Sequence, residues 1–168
     1  MGMAKKEKEV KTNVMRMLDK AGVAYTPHAY DASDGAIDGA AVAKKLGQDP
    51  DAVFKTLVTQ GASKNYFVFV IPVLRELDLK KAARAVGEKS VAMLRVADLL
   101  KVTGYVRGAC SPLGMKKPFV TVLDESCLSQ PTIAVSAGHI GFQVELAPRD
   151  LMNLAKATAA DLTQGDLT

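Results

Sequence analysis

The order of the apolar segments constrains the fold of this chain most. Three segments typical of β-strands, 119–123, 132–136 and 142–146, follow one another with short connections and no helical pattern between them. Two more, 52–58 and 66–71, flank a turn that contains glycine and asparagine. Because strict alternation of strand and helix is missing, a doubly wound parallel sheet is disfavoured. The order predicts an α+β fold, with a mixed sheet and helices around it.

Helical spacing of apolar residues separates or flanks these segments. It predicts helices over 8–21, 40–46, 77–86 and 96–101, and a last helix from Pro148 through Lys156. The residues from Ala157 onward carry little pattern, which predicts a loosely held tail.

The composition is that of a single globular domain, which we expect to span residues 1–168. Apolar residues make up 48% of the chain and charged residues 24%. No apolar run is long enough to cross a bilayer, and the polar N-terminus does not resemble a signal peptide. The two cysteines form no disulfide framework. We therefore expect a cytoplasmic protein with no membrane partner.

Standard cofactor and metal motifs are absent. The sequence has neither GxGxxG nor a P-loop. His28 and His139 are isolated, and Cys110 and Cys127 add no metal-ligand spacing. We therefore expect no metal and no cofactor. The formal net charge of +4 permits a polyanionic partner without requiring one.

Lys55 is the residue that most suggests a function. It lies in the middle of the segment 52–58, which is apolar on both faces of the predicted strand. Lysine is rarely buried without a partner or a purpose. One interpretation is an ammonium that extends along apolar surface to the edge of the sheet. The other is a cation directed into a pocket.

A glycine-rich segment, 104–117, is the second candidate. Glycines allow close approach of the backbone to a ligand, and outward-facing amides can hold an oxyanion or a carboxylate. An ordinary surface turn explains the composition equally well. Arg107, Lys116 and Lys117 flank the segment and could meet phosphates or be solvated.

Two side chains near these loops also admit two interpretations. Cys110 and His139 could form a nucleophilic pair; their separation in sequence does not forbid it, but a single pairing of this kind is weak evidence. Ser136, at the end of a predicted strand, could contact a ligand or serve as an ordinary turn serine.

Four segments, 53–58, 77–83, 104–117 and 142–146, occur in the order seen in a known family. In combination they resemble the YbaK/EbsC family of aminoacyl-tRNA deacylases, which is related to the editing domain of bacterial prolyl-tRNA synthetases. The resemblance spans about residues 10–156 and includes the family's GxxxP loop, from Gly108 to Pro112. It implies a mixed, barrel-like sheet. It also implies removal of a wrong amino acid from tRNA, typically cysteine from proline tRNA.

The resemblance also implies roles for individual residues. Lys55 matches the active-site lysine and Gly108 the glycine of the catalytic loop. The substrate-binding positions are matched by Tyr30, Thr56, Pro112, Ser136 and Gln143. Two residues depart from the family pattern: Asp38 stands where an aromatic residue is expected, and Gln143 where an aspartate is expected.

In the family, the thiol of the substrate cysteine is thought to attack its own carbonyl, so that no protein nucleophile is needed. The implied partners are mischarged tRNA and, as a further candidate, prolyl-tRNA synthetase. Two alternatives stay open. One is a non-catalytic module of the same fold that binds tRNA or a synthetase; the other is a thiol hydrolase that uses Cys110.

Overall fold

The computed structural model of the chain describes residues 10–165. Its helices are α1 (Asn13–Ala21), α2 (Gly39–Leu46), α3 (Leu79–Val86), α4 (Val96–Thr103) and α5 (Pro148–Ala155). Its strands are β1 (Thr26–Ala29), β2 (Phe54–Gly61), β3 (Tyr66–Pro72), β4 (Val91–Met93), β5 (Val120–Asp124), β6 (Ile133–Ser136), β7 (Phe142–Leu146) and β8 (Thr158–Ala160). Short 3-10 turns occupy Pro50–Ala52 and Glu125–Ser129.

Capping residues set the bounds of the helices. The Thr12 hydroxyl accepts a hydrogen bond from the Met15 amide at 3.2 Å, so α1 begins at Asn13. The predicted helix began earlier, at Lys8, which lies outside the described residues; Val10 and Lys11 are described and are not helical. Gly22 ends α1 in the left-handed conformation, and Gly47 ends α2 in the same way.

The strands form two sheets. In the smaller one, β7 lies between β1 and β6 and is antiparallel to both. The larger one has the order β4-β2-β3-β5-β8, in which β2 is antiparallel to β3 and β4, while β5 is parallel to β3 and β8. The mixed α+β fold is confirmed. A parallel bridge between Val53 and Ala134 joins the sheets, and a barrel-like closure stays a prediction.

Both faces of the larger sheet are covered, which explains why β3 is apolar at every position. On one face Val68 and Val70 pack in a cluster with Val14 and Leu18 of α1. On the other face Phe69 packs in a second cluster with residues of α3. No helix within residues 10–165 is long and apolar enough to cross a membrane.

The prediction of a loosely held tail after Ala157 is wrong. Strand β8 adds to the larger sheet beside β5, and Leu162 is fully buried in the second cluster. The Leu162 amide also donates a hydrogen bond of 2.9 Å to the carboxylate of Asp124. The sequence pattern did not reveal β8, because a strand of three residues is too short to show a hydrophobic periodicity. Its partner strand also lies more than thirty residues earlier in the chain.

Candidate active site

A cavity of about 480 Å³ opens where the two sheets meet. Its walls are the first residues of β2, the adjacent ends of β6 and β7, the loop 31–38 with the start of α2, and the loop 104–117. Six of the seven predicted site residues line it: Tyr30, Lys55, Thr56, Gly108, Ser136 and Gln143. Residues that are up to 113 positions apart in sequence therefore line one cavity, and their roles stay predictions.

Pro112 is the predicted site residue that does not line the cavity. It is buried within the loop 104–117, between Ser111 and Leu113, which are buried as well. The Ser111 hydroxyl accepts a hydrogen bond from the Leu113 amide at 3.3 Å across it. A substrate-binding role for Pro112 stays a prediction, and its position suits a residue that shapes the loop.

Lys55 and Thr56 offer unused polar groups at the cavity. Lys55 pairs with Ile71 across β2 and β3, and its side chain is partly buried. Within residues 10–165 its ammonium forms no ion pair and no hydrogen bond. The Thr56 hydroxyl is buried and likewise has no partner among these residues. The ammonium is therefore available to a ligand, whereas the hydroxyl is a buried polar group beside the cavity whose bonding is unsatisfied.

The loop 104–117 approaches the opposite wall at Gly108. This glycine has φ of +90°, and a Cβ atom on it would lie 2.7 Å from Cδ1 of Ile37. The Ala109 amide closes a turn onto the Val106 carbonyl at 3.0 Å. The amides of Gly108 and Cys110 have no hydrogen-bond partner among the described residues. Two lining residues therefore have spare backbone donors.

Ser136 connects this loop to the smaller sheet. Its hydroxyl donates to the Ala109 carbonyl at 2.8 Å and accepts from the Gly138 amide at 3.1 Å. Since the hydroxyl proton is used within the protein, Ser136 lines the cavity chiefly as a residue that holds the loop in place.

The geometry argues against a catalytic Cys110. Burial raises the pKa of the Cys110 thiol to about 12, so the thiolate is scarce near neutral pH. His139 is exposed, does not line the cavity, and has its Nδ1 2.8 Å from the Ile140 carbonyl oxygen. The pair is not assembled as a nucleophile and its base.

A side chain that sequence reasoning missed holds the loop 31–38. The Lys45 ammonium donates to the Asp31 carbonyl at 2.6 Å, to the Asp34 carboxylate at 2.8 Å and to the Ala36 carbonyl at 2.9 Å. Asp38, where the resemblance led us to expect an aromatic residue, accepts from the Ala41 amide at 2.9 Å and caps α2. The two adjacent lysines near the end of α2, Lys44 and Lys45, gave no sign of this role.

Gln143 is buried, with 3% of its surface exposed, and it is bonded to a second residue that sequence reasoning missed. Gln48 donates to the Gln143 amide oxygen at 2.6 Å, and Gln143 donates back to the Gln48 oxygen at 3.2 Å. A neutral pair of amides thus occupies the position where the resemblance led us to expect an aspartate.

The charged groups that line the cavity are Lys55 and Arg107, with Asp38 as the carboxylate. The two cations outnumber the one carboxylate, which leaves a net positive site for an anionic ligand or a developing negative charge. Lys116 and Lys117 do not line it, and the Lys116 ammonium bonds the Lys101 carbonyl at 3.2 Å. Residues 10–165 contain no cluster of three His, Cys, Asp or Glu side chains suited to a metal ion.

Known structures share this architecture. A crystal structure described as "a putative trans-editing enzyme for prolyl tRNA synthetase" superposes with a TM-score of 0.78 at 26% identity, covering 90% of this chain and 95% of the other. The protein described as "hypothetical protein APE2540" superposes with a TM-score of 0.82 over 90% of this chain and 99% of the other. At 22% identity, the second comparison shows the fold alone.

Sequence comparisons give the family. The chain is 45% identical over 161 residues to a protein of Enterococcus faecalis (strain ATCC 700802 / V583) named "Putative Cys-tRNA(Pro)/Cys-tRNA(Cys) deacylase EbsC", covering 96% of this chain and 98% of that one. It is 33% identical over 92 residues to the proline–tRNA ligase of Fervidobacterium nodosum, covering 55% of this chain and 15% of the ligase. The sequence model of the aminoacyl-tRNA editing domain matches residues 35–154. The chain therefore belongs to the aminoacyl-tRNA editing domain family.

Proposed function

We propose that this protein is a trans-editing deacylase that removes cysteine mischarged onto proline tRNA. Cysteinyl-tRNA(Cys) is a second substrate to test. The observation that carries the proposal is a cavity that combines Lys55 with spare amides at Gly108 and Cys110, in a chain 45% identical along 96% of its length to EbsC.

The cavity suits the charge that develops during ester cleavage. Attack on an aminoacyl ester converts its neutral carbonyl into a tetrahedral oxyanion. The Lys55 ammonium forms no ion pair with a carboxylate among residues 10–165, so it is not held by a competing partner there. The amides of Gly108 and Cys110 have no partner among the described residues and are candidate donors to the oxyanion. We assign Lys55 and Gly108 to stabilisation of this oxyanion.

The chemistry calls for a nucleophile that the cavity does not supply. Cys110 has a pKa of about 12, and no histidine is among the lining residues. We propose that the thiol of the substrate cysteine attacks its own carbonyl carbon. A carbon–sulfur bond forms and the carbon–oxygen ester bond breaks. The thiol proton passes to the leaving ribose oxygen, which releases tRNA and a cyclic thiolactone that water then hydrolyses.

The remaining site residues fit binding of the aminoacyl end. Tyr30, Thr56 and Gln143 line the walls around Lys55, and Arg107 is exposed at the cavity, where a tRNA phosphate can reach it. We expect Pro112 to act through the shape of the loop. The partial match to a proline–tRNA ligase supports prolyl-tRNA synthetase as a partner to test. A single domain over 1–168 and a cytoplasmic location complete the proposal.

A deacylation panel tests the proposal. Purified protein is mixed with proline tRNA charged with cysteine, alanine or serine, and with cysteinyl-tRNA(Cys), and loss of the ester is followed over time. We expect cysteinyl esters to be cleared fastest, because a hydroxyl is a far weaker nucleophile than a thiol near neutral pH.

The matched variants are Lys55→Ala and Lys89→Ala. Both remove one lysine charge, but Lys89 is exposed and does not line the cavity. Lys55→Ala should lose most activity while Lys89→Ala keeps it. Binding of aminoacyl-tRNA without turnover by the wild-type protein would support the non-catalytic module instead. Equal turnover by the two variants would contradict the assignment of Lys55 to the active site.

A further inference from the structure

Gln48 lies outside the cavity, and none of the roles assigned so far uses it. It follows Gly47, the left-handed residue that ends α2, and its amide donates to the Ala43 carbonyl at 2.9 Å. Backbone capping therefore holds Gln48 in position independently of its side chain. Asp38, the N-cap of the same helix, and Val42 within it both line the cavity.

Gln143 is held equally firmly at the backbone level. It occupies the central strand of the smaller sheet, where it is in register with His28 on β1 and with Ser136 on β6. What the sheet does not determine is the orientation of the terminal amide, since the last side-chain torsion of glutamine has only a broad, roughly two-fold preference. The reciprocal pair with Gln48 supplies that constraint.

The pairing does not depend on which atom of each amide is assigned as oxygen. Exchanging oxygen and nitrogen in both side chains preserves one donor and one acceptor in each bond. Each amide then retains one N–H and one carbonyl lone pair. Gln143 lines the cavity, so its remaining groups can meet an aminoacyl group as both donor and acceptor. A carboxylate at this position would be an acceptor alone.

We propose that Gln48 is a positioning residue that fixes the Gln143 amide at the cavity and thereby sets the discrimination between aminoacyl groups. The inference rests on the proposed deacylase function for its kinetic consequence. The structural part of the inference is that Gln48 constrains the Gln143 amide, and this can be measured without enzymatic turnover.

Gln48→Met tests the inference, because methionine keeps the length and unbranched shape of glutamine and removes both amide bonds. Gln60→Met is the matched control. Gln60 is partly buried on β2, donates a hydrogen bond of 3.1 Å to the Lys64 carbonyl, and does not line the cavity. A second variant, Gln48→Glu, keeps the shape but can only accept, so it should turn the Gln143 nitrogen towards itself.

The kinetic experiment is a double-mutant cycle on the cysteinyl and alanyl esters of proline tRNA. We expect Gln48→Met to lower kcat/KM for the cysteinyl ester about fivefold and to change the ratio between the two substrates. In a Gln143→Met background the same substitution should lower kcat/KM by less than about twofold, because the amide that Gln48 positions is then absent. Equal losses in both backgrounds, or an unchanged substrate ratio, would overturn the inference.

The structural experiment compares proton–nitrogen correlation spectra of the side-chain amides. In Gln48→Met the Gln143 amide signals should move and exchange with solvent faster, whereas Gln60→Met should leave them in place. Unchanged Gln143 signals would overturn the inference even in an active enzyme. If the wild-type protein cleaves no aminoacyl ester, the proposed function fails, and these spectra still decide whether Gln48 positions Gln143.

Discussion

Two loops line the same cavity, and they are held in their conformations by different interactions. The loop 31–38 is held by side chains: the Lys45 ammonium binds it at three points, and Asp31, Asp34 and Asp38 each accept from a nearby amide. The loop 104–117 is shaped by its backbone, with Gly104, Gly108 and Gly114 at positive φ. They meet where Ile37 faces Gly108.

The difference indicates which loop is expected to do chemistry. Backbone amides are part of a rigid chain, so a glycine-shaped loop can offer donors at fixed positions. A loop tethered by one exposed lysine can move when the contact breaks, which suits admission of a substrate. We therefore expect damage to the loop 104–117 to lower kcat and damage to the loop 31–38 to raise KM.

The largest expected effect comes from Gly108→Val. A branched side chain would adopt a strained φ of +90° and collide with Ile37, at 2.7 Å from its Cδ1. Activity should fall about tenfold or more, which corresponds to about 1.4 kcal/mol in the barrier. Gly87→Val is the control, since it carries a φ of +72° in open space away from the cavity. Normal kcat in Gly108→Val would show that this loop is an ordinary turn.

A smaller loss is expected from Ser136→Ala, which removes the bonds to Ala109 and Gly138. We expect about 1 kcal/mol of lost stability and a drop in kcat of about threefold to tenfold, since the catalytic loop is less firmly held. Ser63→Ala removes a similar pair of bonds, to Glu88 and Asn65, away from the cavity. It should lower stability without changing kcat, and equal kcat values in the two variants would contradict the role given to Ser136.

The loop 31–38 should respond differently, through KM. Lys45→Met removes its three bonds, and we expect KM to rise about threefold with kcat nearly unchanged. Lys81→Met is closely matched: the Lys81 side chain is 26% exposed, against 23% for Lys45, and it bonds Asp161 and the Thr163 carbonyl instead. A fall in kcat for Lys45→Met, with KM constant, would contradict the proposal that the loop 31–38 acts through KM and the loop 104–117 through kcat.

The smallest effect is expected for Cys110→Ser. Cys110 lines the cavity, but its thiol has a pKa of about 12 and contributes no nucleophile. Cleavage of cysteinyl-tRNA should stay within about twofold of the wild-type rate, because the substrate supplies the thiol. Mass spectrometry of quenched reactions provides the second readout. An acyl group trapped on Cys110, together with loss of activity in the variant, would replace the substrate-assisted mechanism with a protein nucleophile.

Much of the fold could be predicted because it depends on local pattern. The segment 142–146 coincides with β7, and the helices that end at Gly22 and Gly47 end where glycine allows the left-handed turn. Lys55 could be singled out because an ammonium inside an apolar strand violates the ordinary burial pattern. The tail could not be predicted, since β8 is short and the burial of Leu162 depends on packing against distant residues.

The sequence by itself determined where most strands lie along the chain, the glycines that shape the loop 104–117, and the presence of a lysine in an otherwise apolar strand. The tertiary structure decided what those residues face. It brought Gln48 against Gln143, 95 positions later, placed Ile37 against Gly108, and left Lys55 without a carboxylate partner among the described residues. Such contacts arise from the packing of two sheets and two loops, and no periodicity along the chain records which side chains that packing brings together.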